Sequence, residues 1–291
     1  MSDEKSRFLV LVNPLSHGGR SGRILSRLRT LLPEGDFVAL KNIEEASRLA
    51  REAKGYEAVV ACGGDGTINA VAGGVLENSD TSLKFGVIYA GTSPDFCRVH
   101  GIPTDAEQAV SVLRDGVVRE IPVLTANSEP FFCSMNLGMG AAVAASANRL
   151  RPKFGDFIGT LWAVLREVVR GRRYDIMVNG EEICNVAHAL VTRISRIAGG
   201  LKIAPPPLAD DEYALWFAKD VSRFGCLRIV RNLYRGKPCG EIRVLRGKTA
   251  ISSNLSVALE YDGDPHGSLP VMMSFAPRRL CLLVPQFKHS N

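Results

Sequence analysis

The 291-residue sequence predicts a two-domain α+β protein: an α/β N-terminal domain with a mostly parallel sheet, then a β-rich, sandwich-like C-terminal domain. The length is ample for a large core and suits two medium domains. Up to Tyr89, short apolar runs alternate with helical periodicity. Beyond about residue 123 that alternation gives way to short strand-like segments separated by turn residues.

Phe8-Leu9-Val10-Leu11-Val12 is a continuous apolar run stopped by Asn13-Pro14, which reads as a strand buried on both faces. Residues 20–32 follow as a helix with Ile24, Leu25, Leu28 and Leu31 or Leu32 on one face. A strand at Phe37–Leu40 and a helix near 43–54 repeat the unit, and Ala58–Cys62, closed by Gly63-Gly64, is the third strand. A helix over Thr67–Leu76 and a strand at Phe85–Tyr89 complete the series. Such repetition implies a parallel sheet covered by helices, whose ligands bind at the carboxyl ends of the strands. Function is therefore sought in the loops after the first, third and fourth strands.

In the second part, Phe131–Cys133, Tyr174–Val178, Ala187–Val191, Ala214–Phe217, Glu241–Leu245, Leu255–Leu259 and Val271–Phe275 read as strands of an antiparallel sheet. Helices at about 153–170 and 222–234 interrupt them, and Leu280–Val284 is a final strand whose domain is left open. The expected domains are 1–124, with 278–291 as a candidate addition, and 125–277.

Composition narrows the function classes. Apolar residues at 46% and charged residues at 23% argue against disorder and fibrous repeats. No apolar run reaches the ~18 to 20 residues that span a bilayer, so any membrane contact is expected to be peripheral. Seven scattered cysteines without a CxxC pair fit reduced, mostly buried thiols in a cytoplasmic protein, and the five histidines lack metal-ligand spacing. Residues 149–248 carry 19 basic and 10 acidic side chains against 14 and 17 in residues 1–148, so the middle segment supplies the net charge of +6. It lacks aromatic interleaving and any recognised nucleic-acid motif, which leaves anionic lipid or solvent as its partner.

Gly63-Gly64-Asp65-Gly66-Thr67 lies between a buried strand and a helix. Three glycines permit a tight turn and close approach of a ligand, and the helix start offers free N–H groups to phosphate. Thr67 reads equally as a helix cap or as a ligand contact. Asp65 reads as a turn former or, in this context, as a carboxylate that supports Mg²⁺ or orients a nucleotide. No GxxxxGK[ST] motif is present, and Gly138-Met139-Gly140 is only a fragment of a dinucleotide fingerprint.

The Gly63–Thr67 stretch resembles the signature shared by diacylglycerol-type lipid kinases and NAD kinases. Val12-Asn13-Pro14-Leu15-Ser16 with Gly18-Gly19 is similar to the lipid-kinase opening loop, and Tyr89–Arg98 to that family's PxGTxNDFAR segment. Pro205–Leu215 resembles its APxxxLxDGxFDL segment, and Asp262-Gly263-Asp264 stands where the family has Asp-Gly-Glu. The late matches favour the lipid kinases over NAD kinases. The resemblance implies an ATP-dependent lipid kinase using Mg²⁺, with an ATP site in the cleft between its domains. Asn13, Ser16, Gly63, Gly64, Asp65, Gly66, Thr67, Gly91 and Thr92 are then expected to contact ATP. Asp95 is expected near the substrate, Asp210 at the metal, and Asp264 as general base with Asp65 and Asp262 beside it in catalysis. Four positions depart from the pattern: Ala70 for Glu, Pro94 for Asn, Asp211 for Gly and Asp264 for Glu. They keep open a catalytically impaired lipid- or nucleotide-binding regulatory protein, as well as a soluble-metabolite kinase such as an NAD kinase.

The expected partner is a lipid substrate at a membrane surface, with no nucleic acid; a homodimer is left open. The helix near 222–234 sets Phe224, Leu227, Val230 or Arg231, and Tyr234 along one side, with Arg223, Arg228, Arg231 and Arg235 close by. That fits either an interfacial helix on anionic lipid or a helix packed on the sheet with solvated arginines. The helix at 153–170, with Phe154, Phe157, Ile158, Leu161, Trp162, Leu165 and Val168, is apolar nearly all round and reads as buried or as the wall of an acyl-chain pocket.

Overall fold

The computed structural model describes residues 7–16, 20–154, 156–197 and 200–286. Gly18 and Gly19 of the opening loop lie outside the described residues, as do residues 287–291 and the side chains of Ile24, Phe154, Phe157, Ile158 and Leu161. The chain divides into two compact units, one ending at Val123 and resuming at Ala276, the other spanning Leu124–Phe275.

The first unit runs β1 (Phe8–Val12), α1 (Arg20–Leu31), β2 (Gly35–Ala39), α2 (Ile43–Glu52), β3 (Ala58–Gly63), α3 (Asp65–Glu77), β4 (Lys84–Tyr89), α4 (Asp95–His100), α5 (Ala106–Asp115) and β5 (Val117–Ile121). The second unit contributes β6 (Leu124–Ala126), β7 (Glu129–Phe131), β8 (Ser134–Gly138), α6 (Met139–Phe154), α7 (Asp156–Arg170), β9 (Tyr174–Val178), β10 (Glu181–Thr192), β11 (Arg196–Ile197), β12 (Leu201–Lys202) and β13 (Glu212–Lys219). It continues with α8 (Arg223–Arg235), β14 (Glu241–Arg246), β15 (Thr249–Ser252), β16 (Ala258–Tyr261), β17 (Asp264–Ser268) and β18 (Val271–Phe275), after which β19 (Leu280–Val284) belongs to the first unit.

In the first unit the sheet order is β2-β1-β3-β4-β19-β5, parallel throughout except for the β19–β5 pair. Every residue of β1 and β3 is buried, as expected of strands covered on both faces. Phe8, Val10, Val12, Leu28, Leu32, Val60 and Ile88 form the centre of its core. The strand expected at Phe37–Leu40 is displaced to Gly35–Ala39. Helices α4 and α5 and strand β5 are additions to the sequence reading. Asp105 caps α5 by accepting from the N–H groups of Glu107 and Gln108.

The second unit is an antiparallel sheet of order β17-β16-β8-β10-β9-β15-β18-β6-β7, with β13 pairing β10 and β14. Strand β10 is the organiser: it pairs β9 through its first part and β8 and β13 through its last, with register shifts around Val186 and Asn185 at φ +55°. A bulge of this kind lets one strand bend between two faces of a sandwich. Met135, Leu137, Val191, Tyr213, Leu215 and Phe217 lie in its core.

The strand placed at Phe131–Cys133 is two strands with a break at Phe132-Cys133, because the N–H groups there turn to a carboxylate instead of a neighbouring strand. Leu255–Leu259 becomes Ala258–Tyr261. The helix expected at 153–170 is α7, α6 before it was not foreseen, and the described part of α7 is two-sided: Ala163 and Val168 are buried while Trp162, Leu165 and Val169 are exposed. None of the cysteines forms a disulfide; Cys62, Cys97 and Cys226 are buried, Cys184 is exposed and the rest are intermediate, so fewer are buried than expected.

Candidate active site

The loops after β1, β3 and β4 meet at the carboxyl ends of the parallel strands. Gly64 is the N-cap of α3 and Asp65 its first residue, so the glycine turn is shorter than the sequence suggests. A Cβ on Gly63 would strike the Thr67 side chain, and one on Gly91 would lie 2.7 Å from Gly64 Cα. The two loops are thus in backbone contact, a packing open only to glycine. Gly66 faces open space.

Thr67 does not cap α3, for Gly64 is the N-cap and no side chain accepts there. The Thr67 hydroxyl instead accepts a hydrogen bond from Asn13 Nδ2 at 3.1 Å. The Gly64 N–H donates to Ser16 Oγ at 3.4 Å, and the Asn13 N–H to the Cys62 carbonyl at 2.9 Å. Asn13 Oδ1 accepts from the Leu15 N–H at 3.1 Å, which shapes the loop after β1. Asn13, Ser16, Gly63, Gly64, Asp65, Gly66, Thr67 and Gly91 are therefore neighbours in one loop cluster. Thr92, next to Gly91, is exposed.

Asp65 and Asp95 are each the first residue of a helix, α3 and α4. Asp65 Oδ2 accepts from the Tyr89 hydroxyl at 3.1 Å, a contact the sequence reading missed. Burial first, and the Asp65 charge second, raise the Tyr89 hydroxyl pKa, so Tyr89 stays a proton donor to that carboxylate. Asp95 is buried; Ser93 Oγ donates to its Oδ2 at 3.3 Å and Arg98 lies 3.7 Å away. Pro94 is the N-cap of α4 without a side-chain cap bond, since proline carries no polar side-chain atom.

In the second unit, Asp262-Gly263 is the two-residue loop of the β16–β17 hairpin, with φ of +51° and +101° and Tyr261 paired to Asp264. Such paired positive φ angles belong to the turns that fit the twist of antiparallel strands, and Asp-Gly supplies them. Asp262 Oδ2 accepts from the Phe132 N–H at 2.6 Å, and Oδ1 from the Cys133 and Ser134 N–H groups, both at 2.8 Å. Desolvation raises the Asp262 carboxyl pKa against the opposing pull of these three donors. Its oxygens are occupied by these backbone N–H groups, so Asp262 holds the turn that carries Asp264. Asp264 follows it, exposed at the start of β17.

Glu260 was also missed. It is 4% exposed, on β16, with Oε2 accepting from Asn136 Nδ2 at 2.6 Å and the other oxygen accepting the Gly263 N–H. Desolvation pushes its pKa up to about 7, with the neighbouring charges of Asp262 and Asp264 adding to the shift. An acid inside the apolar stretch Leu259-Glu260-Tyr261 is the signal that would have marked it.

Asp210 is exposed in the loop before β13. Asp211 pairs with Arg246 at 3.3 Å and has no positive φ, so it does not strain the turn. Among the described residues no group of three or more His, Cys, Asp or Glu side chains forms a metal cluster.

A family model described as the diacylglycerol kinase catalytic domain matches residues 7–126, and one described as the YegS C-terminal NAD kinase beta sandwich-like domain matches residues 133–284. The chain belongs to the diacylglycerol-kinase-like family of lipid kinases. Its function is of the lipid-kinase type. It is 27% identical to a diacylglycerol kinase of Bacillus subtilis (strain 168) over 257 residues, covering 84% of each chain. A diacylglycerol kinase of Staphylococcus aureus (strain bovine RF122 / ET3-1) is 25% identical over 297 residues, covering 97% of this chain and 93% of the relative. A solved diacylglycerol kinase from Bacillus anthracis str. Sterne shares the fold with a TM-score of 0.74 at 16% identity, covering 98% of both chains. The α/β unit with its parallel-rich sheet and the antiparallel β-rich unit are the architecture of this family. Among the described residues, no helix is long and apolar enough to cross a membrane.

Proposed function

We propose that this lipid-kinase-family protein transfers the γ-phosphate of ATP to the hydroxyl of diacylglycerol or a related lipid alcohol. The observation that carries the reading is the loop cluster of Asn13, Ser16, Gly63–Thr67 and Gly91 at the carboxyl ends of β1, β3 and β4. Its glycines leave no side chain between backbone and ligand, and the positive end of the α3 dipole suits a triphosphate. Thr92, exposed beside Gly91, is assigned to the same ligand.

Transfer requires the lipid hydroxyl oxygen to bond to Pγ as the bond from Pγ to the β,γ-bridging oxygen breaks, releasing ADP; the hydroxyl proton goes to a carboxylate. Asp264 is assigned that proton. Asp65, held by Tyr89, and Asp95, held by Ser93, orient the phosphate end and the acceptor. Mg²⁺ takes one or two carboxylates together with phosphate oxygens, a donor set that Asp65 and Asp95 fit, and Asp210 is the acidic position assigned to it by resemblance. The ion would neutralise phosphate charge.

The test is phosphoryl transfer from labelled ATP with Mg²⁺ to a panel of lipid alcohols in mixed micelles, with NAD and a lipid-free blank alongside. A labelled lipid is expected, with Asp65→Asn abolishing the product and Asp264→Ala lowering kcat about 100-fold or more while ATP affinity is kept. Label on NAD alone would replace the lipid with a soluble acceptor. No transfer and no ATP binding would leave a non-catalytic lipid-binding protein.

A further inference from the structure

Two helices of the second unit turn apolar stripes to solvent. On α7, Trp162, Leu165 and Val169 recur at helical spacing and are 61%, 41% and 70% exposed. On α8, Phe224, Leu227 and Tyr234 are 82%, 37% and 53% exposed. The helices adjoin: Val168 and Cys226 are buried in one apolar cluster with Val164 and Val221 packed on it, the Arg223 side chain lies against Gly171, and Arg173 donates to the Val221 carbonyl. Both stripes thus belong to adjoining helices that share one buried cluster.

Charge identifies what covers them. From Trp162 to Arg173 and from Val221 to Lys237 the chain carries nine basic residues and a single acid, Glu167, which is buried and paired with Arg170 at 2.7 Å. Among the described residues Arg223, Arg228, Arg231 and Arg235 form no ion pair. A second copy meeting this face would bring like charge onto like charge, which disfavours a symmetric dimer. Nucleic acid would satisfy the arginines and leave Trp162, Val169 and Phe224 without a partner. An anionic bilayer satisfies both: acyl chains for the stripes and headgroups for the arginines.

We propose that the outer faces of α7 and α8 form a docking surface that inserts Trp162, Val169 and Phe224 into an anionic lipid bilayer. It deepens the lipid-kinase reading on which it rests, because a lipid alcohol is met in a bilayer.

The chain's two tryptophans make the test direct, since Trp162 is exposed and Trp216 is 1% exposed. Emission is followed as the full chain is titrated with vesicles of phosphatidylcholine alone and of phosphatidylcholine mixed with phosphatidylglycerol. A blue shift, quenched by lipids brominated in the acyl chain and absent in Trp162→Phe, is expected only with the phosphatidylglycerol vesicles and weakens at high salt. Phe224→Ser lowers vesicle affinity about tenfold, and Arg228→Gln with Arg231→Gln about 30-fold. Both variants keep turnover of a short-chain lipid alcohol in free solution. No shift with either vesicle overturns the proposal, as does a shift that follows protein concentration without lipid and disappears with Phe224→Ser, which marks self-association. An equal loss of turnover on soluble and vesicle-borne acceptor also overturns it, by placing these residues in the reaction. Vesicle binding without turnover of any lipid alcohol leaves the docking surface standing and removes the kinase reading.

Discussion

Glu260 carries more physical consequence than any residue the motif analysis selected. Its pKa of about 7 lies above the ordinary 4.5 because desolvation penalises the charged form. The native state therefore holds more protons than the unfolded chain between those two values, and stability declines as pH rises through that window, then levels off. The Glu260→Gln variant keeps the bonds, since the Asn136 amide can turn to offer its oxygen, and removes the charge. It is expected to unfold with a flat profile from about pH 4.5 to 7 and to exceed the parent by roughly 1–3 kcal/mol above that range. Urea unfolding across a pH series checks this; a parent whose stability does not fall over the window would rule out the burial account. Asp65 and Thr67 were legible because glycine spacing is local, whereas Glu260, Asn136 and Tyr89 work through partners distant in sequence. The grip of Asp262 on three N–H groups was not legible: a left-handed turn position looks, in sequence, like any other acid before glycine.

At the scale of elements, the alternation of apolar runs with helical periodicity located β1 to β4 and α1 to α3, with shifts of about two residues at β2 and α3. What alternation cannot show is how closely neighbours approach. Gly74 of α3 faces α2, where a Cβ would collide with the Ser47 carbonyl oxygen and lie 2.7 Å from Ala50 Cβ. Alanine is the better helix former by about 1 kcal/mol, so propensity alone predicts that Gly74→Ala stabilises. The collision is with backbone, which cannot swing aside, and overpacking of this kind costs about 1–3 kcal/mol. Gly74→Ala is expected to lower the urea midpoint, and a raised midpoint would show that α2 and α3 separate easily. Which sides of α7 are covered was not legible for a different reason. Its residues suit both a buried and a lipid-facing helix, and composition does not distinguish the two solvents.

At the scale of the molecule, the chain returns to its first unit after the second is complete. Leu280–Val284 was legible as a buried strand, but its place was not, since an apolar run bears no mark of its neighbours. In the structure β19 lies between β4 and β5, and Arg278 secures the return by donating to the Leu76 carbonyl at 2.8 Å, the Asp80 carbonyl at 3.1 Å and the Val75 carbonyl. Leu280, Leu282, Leu283 and Val284 are each at most 5% exposed. At about 1.5–3 kcal/mol per buried side chain, they supply roughly 6–12 kcal/mol, comparable with the whole stability of an ordinary domain. A chain ending at Phe275 is therefore expected to lose the fold of its first unit while Leu124–Phe275 keeps its own core. Hydrogen exchange reads the two units separately: amides of β3 and β4 should exchange freely in the truncated chain, while those of β10 and β13 stay protected. Arg278→Ala alone is expected to lower the first unit's stability by about 1–3 kcal/mol, from the charge-assisted bonds it removes at the end of α3. If β4 stayed protected without β19, the first unit would draw its stability from β1, β3 and their helices alone, and the final strand would be an edge laid on a finished sheet.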